Sequence, residues 1–167
     1  MMSAGFGDVF NRIEASGVGT AIRESTWLFP TVESLHVLAI VLVVGSIMIV
    51  DLRLLNVASR QRAVSELMNE VLPWTWIAFV FAVITGSLLF SSAAVKYAGN
   101  TQFRVKMLLL VLAGINMAIF HLGSYRKVAL WDRASITPTA ARIAGALSLT
   151  IWVIVVACGR WIGFTTN

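Results

Sequence analysis

The sequence predicts an all-α integral membrane protein, a four-helix bundle carrying a short interfacial helix at its N-terminus. Composition is the first reason: the 167 residues are 58% hydrophobic and only 13% charged, with mean hydropathy +0.84, values outside the range of soluble domains. The second is the grouping of apolar residues into four runs, near 30–55, 73–95, 103–124 and 140–163, each matching the ~20 residues that cross a bilayer core. The third is helical spacing in the segment before them.

One membrane domain accounts for residues 1–167. The lone Cys158 excludes an intrachain disulfide and a thiolate cluster. A net charge of +5 is no sign of nucleic-acid binding here, because basic residues in a membrane chain chiefly mark loops and anionic lipid.

Residues 1–26 carry Asp8, Arg12 and Glu14 early and lack a basic-then-apolar opening, so a cleavable signal peptide is not expected. Phe6, Val9, Phe10 and Ile13 share one helical face, opposite Asp8, Asn11, Arg12 and Glu14, as in a helix lying in the interface. Gly17 and Gly19 should break it, and a turn over 20–25 leads to the anchor Trp27.

Only 14 uncharged residues separate His36 from Asp51, so the first span must take in polar residues at one end. Pro30 suits a helix start, which places Glu33 and His36 on one face, roughly 4 and 8 Å below the opening of the helix. The polar, basic stretch after Asp51 continues the helical pattern, and the helix is expected to project beyond the bilayer. The second span opens with Pro73, Trp74 and Trp76 and carries Thr85-Gly86-Ser87, small residues that admit a close neighbour. Gly99-Asn100 signals a turn in the following short loop. In the third span Lys106 and His121 enclose 14 uncharged residues, and Asn116 inside it needs a partner across a helix interface. A basic loop (Arg126, Lys127, Arg133) and Pro138 precede the fourth span, which has 17 residues between Arg142 and Arg160.

Four spans put both termini on one side. The two opposite loops hold seven Lys and Arg residues against six on the terminal side, and Arg104 and Lys106 there are partly embedded. The positive-inside rule then places both termini outside, periplasmic for a bacterial inner-membrane protein.

Depth brings the polar residues together. Glu33 and His36 near the start of the first span, Arg104 and Lys106 near the start of the third, and Arg160 near the end of the fourth all fall in one leaflet. Ionisable groups inside a membrane point to function. An imidazole for a metal and cations for carboxylates suit an anionic cofactor such as haem b. Taken singly, the cations also fit snorkelling to headgroups. His121, some 20 Å deeper than His36, cannot share one haem with it, and is either structural or a second metal ligand. Met107 and Met48, at the depths of the two histidines, are possible partners but also ordinary gap-fillers.

The run ESTWLFPTVESLHVLAIVLVVGSIMIVDLRLL, with TGSLLF and FRVKMLLLVLAGINMAIF, resembles a family of small bacterial four-helix membrane proteins of uncharacterised function. More distantly, LH in the first helix and F-x-x-K-x-x-L-L in the third resemble HemJ-type protoporphyrinogen oxidases and CopD-type copper-resistance membrane proteins. The HemJ-type resemblance implies b-type haem on His36 and an important role for Lys106, with His121 falling further along its helix than the corresponding histidine. Three functions follow as expectations. The first is a haem protein in redox chemistry or electron transfer, partnered by a quinone or another redox protein, with His36 as axial ligand. Arg104, Lys106 or Arg160 would bind the propionates there, and Glu33 would orient a ligand or move protons. The second is a small-solute or metal transporter. The third is a non-catalytic accessory subunit. Gly45, Gly86, Gly114 and Gly145 permit close helix contacts, so a homo-oligomer is expected.

Overall fold

The chain folds as an all-α bundle in a computed structural model that describes residues 4–134 and 136–165. Four helices are long and apolar enough to cross a membrane, namely α3 (Leu28–Leu54), α4 (Val64–Ser92), α6 (Thr101–Leu122) and α7 (Thr139–Thr165). Their outward residues are apolar: Leu38, Val41, Leu42, Leu108, Ile119 and Val153 are each more than half exposed. Such a surface calls for lipid rather than water.

Short connections make the spans antiparallel. The ends of α4 and α7 and the starts of α3 and α6 therefore meet at one end of the bundle, the terminal end, with the loops at the other. Packing joins α3 to α4, α6 to α7, and α3 to α7. Helices α4 and α6 are not packed together along their length, so the bundle is open on that side.

Local chemistry explains the helix boundaries. The Ser25 hydroxyl accepts from the Leu28 amide at 3.1 Å, so α3 begins two residues before Pro30, which lies in its first turn. Contrary to the expected projection, α3 stops at Leu54 and turns through Asn56 and Ser59, with φ of 58° and 53°. Asparagine tolerates this left-handed region better than most residues. The second span starts at Val64, nine residues before Pro73, which sits inside the helix. The cap is remote: the Asp132 carboxylate accepts from the Ser65 amide at 2.8 Å and from its hydroxyl. Asn100 caps α6, its side chain accepting from the Phe103 amide at 3.0 Å, at the turn signalled by Gly99-Asn100. Between α4 and α6 the chain forms a short helix, α5 (Ala94–Gly99), rather than a plain loop.

The N-terminal segment forms α1 (Ala4–Glu14) and α2 (Gly17–Glu24). The Phe6 side chain, assigned to the apolar face, lies outside the described residues. Gly17 and Gly19 do not end the segment's helical structure, since both lie in α2. A Cβ on Gly19 would stand 2.5 Å from the Ser91 carbonyl, so glycine there lets α2 lie directly on α4. Arg23 donates to the carbonyl of Ser92 at 3.3 Å, the Val95 amide donates to Glu14 at 3.1 Å, and Phe10 meets Phe90 edge-on. These helices cap the terminal end as well as presenting an amphipathic face.

At the loop end, Arg53 is 1% exposed and donates to the carbonyls of Arg62 and Asp132 and to the side chains of Asn56 and Thr137. One guanidinium thus ties together both connections at the loop end of the bundle. At the same end Val50, Leu54, Val64, Met68, Phe120 and Trp131 form one buried apolar cluster.

Candidate functional site

His36 sits half-buried on the face of α3 that meets α4, where its Nδ1 lies 2.9 Å from the Thr85 hydroxyl. That hydroxyl also lies 2.8 Å from the Phe81 carbonyl; when it donates there it accepts from Nδ1, and Nε2 of the neutral ring keeps its lone pair. Gly86 makes the fit possible. A Cβ there would stand 2.9 Å from His36 Cε1, so the ring rests in a notch that only glycine leaves open.

Lys106 comes from α6 and is also only partly exposed. Its Nζ lies 3.9 Å from where a Gly159 Cβ would stand, against α7. His36, Thr85 and Lys106 thus share the terminal half of the bundle, supplied by α3, α4 and α6.

The other expected members are differently placed. Glu33 is exposed on α3 and faces α5. Burial first, and the Glu33 charge second, raise the Tyr97 phenol above its ordinary pKa. Arg104 is exposed and donates to the Ala98 carbonyl at 2.8 Å. Arg160 is exposed with its guanidinium 4.7 Å from the Phe164 ring centre, a cation–π contact one helical turn away. Met107 and Met48 face outward, 47% and 43% exposed.

His121 belongs to the loop half. Its Nδ1 lies 2.9 Å from the Met117 carbonyl, one turn back on α6. Here it lines a cavity of about 250 Å³ bounded by α3, α4, α6 and α7. Asn116 has the cross-helix partner it needs, donating to the Ala144 carbonyl of α7 at 2.9 Å. Asp51 lines the same cavity, 5% exposed, and one of its carboxyl oxygens, Oδ2, has no hydrogen-bond partner among the described residues. Sequence reasoning passed over Asp51 as a boundary marker. Its place three residues inside the end of an apolar run was the available signal.

Among the described residues, no three His, Cys, Asp or Glu side chains converge to hold a metal ion. The model of a family of unknown function, DUF6644, matches residues 9–165. No curated protein and no solved structure matches the chain.

Proposed function

We propose that this chain, which belongs to the DUF6644 family of unknown function, is a membrane redox protein that binds a b-type haem through His36. The observation that carries the proposal is the Phe81–Thr85–His36 relay of hydrogen bonds, which fixes the imidazole by Nδ1 and leaves Nε2 as a donor atom. Metal-bound histidines are commonly held in this way by their second nitrogen. A bare ion would need several protein ligands, and the described residues offer no such group. A tetrapyrrole brings four nitrogens of its own and asks the protein for one or two. When bound, it supplies a one-electron iron centre whose potential the axial ligand and surroundings set.

Each residue then has a task. Thr85 orients the ring, Gly86 makes room for it, and Lys106 offers a cation for a propionate. Arg104 and Arg160 are held by Ala98 and Phe164, so they would reach a propionate only after turning away from those partners. The surplus of basic residues on the loop side supports an orientation with both termini, and the His36 site, toward the outer face of a bacterial inner membrane.

The test is an absorption spectrum of the detergent-purified protein, produced with ample haem precursor. A Soret band with stoichiometric pyridine haemochrome supports the proposal. Folded protein without a Soret band and without bound transition metal overturns it.

A further inference from the structure

We propose that the cleft between α4 and α6 in the loop half is a binding site for a lipid-dissolved molecule with one aromatic ring, hydroxyl donors and an apolar tail, the chemistry of a quinol. The inference stands on the cavity alone and needs no haem at His36. Its starting point is packing: α4 and α6 leave a gap, and the cavity of about 250 Å³ lies behind it. A dry cavity of about 150 Å³ already accepts benzene, so a substituted ring fits, with its tail leaving through the gap into lipid.

The lining specifies the head group. Trp76, Phe79, Phe120 and Trp152 provide flat apolar walls. The polar side chains in that wall are Asp51, Thr75, Asn116, His121 and Ser148, and Asp51 and His121 each offer an acceptor to a ligand. Asp51 is 5% exposed with Oδ2 unpartnered among the described residues. A buried carboxyl oxygen without a donor is costly, and a ligand hydroxyl removes that cost. The His121 Nδ1 contacts the Met117 carbonyl, which can only accept, so this nitrogen donates and the neutral ring keeps an acceptor at Nε2. Two acceptors in an aromatic-walled cavity call for a ligand with two donors. A hydroquinone has them, whereas the oxidised quinone has none. A phospholipid acyl chain satisfies the walls but not Asp51, and so does an apolar helix from a second copy.

The experiment uses the full chain in nanodiscs and decyl-hydroquinone kept reduced, with quenching of tryptophan emission as the signal, since Trp76 and Trp152 line the cavity. Saturable quenching is expected, with the dimethoxy analogue and the oxidised quinone each binding at least about tenfold more weakly for want of a donor. Asp51→Asn should weaken the hydroquinone without changing the affinity of the dimethoxy analogue. Gly114→Leu should block both ligands. This variant places its side chain at the cavity wall, where a Cβ meets nothing within 4 Å, so the fold should survive. Equal affinity for hydroquinone and dimethoxy analogue in the wild-type protein would overturn the proposal, as would absence of saturable quenching. Phospholipid that the hydroquinone does not displace, or disulfide cross-linking of Gly114→Cys between two copies, would overturn it too by assigning the cleft to another occupant.

Discussion

The two halves of this bundle handle buried polarity in opposite ways. In the terminal half, His36 is embedded by short local devices: a hydroxyl one helix away and a glycine notch. In the loop half, Arg53 is satisfied by four acceptors drawn from two connections, while two residues away Asp51 keeps one oxygen unpartnered among the described residues. The first half holds one imidazole between two helices. The second combines a rigid structural hub with an open apolar cleft. Within one turn of the same helix, then, one buried polar group is tied into the architecture by several partners and the other is not.

Removing the hub should have the largest effect on stability. Arg53→Met strips donors from two buried carbonyls and two side chains, so a loss of about 3 kcal/mol or more is expected in detergent unfolding. Arg53→Lys should recover little, because an ammonium cannot reproduce the guanidinium fork. If Arg53→Met unfolds like the wild-type protein, the contrast between the halves fails.

Glycine substitutions compare the halves next. Gly86→Ala drives a methyl into the His36 ring, and Gly145→Ala presses on Leu54 and the Asp51 backbone at 3.1 and 3.2 Å. Overpacking of this kind costs roughly 1–3 kcal/mol. Gly86→Ala alone should also reduce cofactor content. Gly45→Ala meets open space and should stabilise by about 0.5–1 kcal/mol through helix propensity. Thermal unfolding of the three variants in one detergent distinguishes these outcomes.

Thr85→Val keeps the shape and deletes the His36 hydrogen bond. A loss of about 1 kcal/mol is expected, with a shifted redox potential for any bound haem as the sharper readout.

The smallest effect concerns the cap on α4. Burial opposes ionisation of Asp132, but hydrogen bonds from the Ser65 hydroxyl, from the Ser65 and Val64 amides, and the nearby Arg133 charge outweigh it and hold its pKa below the ordinary value. A depressed carboxyl contributes stability above its unfolded pKa and loses it as pH falls through the folded one. Asp132→Ala should cost about 1 kcal/mol near neutral pH, and the difference from wild type should shrink below pH ~4. A difference independent of pH would show that charge is not what Asp132 contributes.

Much of the fold was readable in the residues themselves. Four apolar runs, the Gly99-Asn100 turn and the need of Asn116 for a partner all rest on local pattern or composition. The start of α4 was not, because Pro73 and two tryptophans imitate a helix opening while the actual cap comes from Asp132, 67 residues away. The same holds for Arg53. Its place among loop cations says nothing of acceptors on Asn56, Arg62, Asp132 and Thr137. At the site, depth along each helix places His36 and Lys106 at one end. Depth alone does not give rotation about the helix axis, and Glu33, Arg104 and Arg160 are exposed where His36 and Lys106 are half-buried. Phe164, four residues after Arg160, was the visible hint that this arginine has a local partner.

The central claim is that the terminal-half histidine, and not the loop-half one, anchors a haem. Its most direct test is the absorption spectrum of the wild-type protein beside His36→Ala and His121→Ala, prepared identically and matched for folded protein by circular dichroism. The expected result is a Soret band in the wild type, lost in His36→Ala and retained in His121→Ala. A band that survives in His36→Ala, or disappears only in His121→Ala, would contradict it.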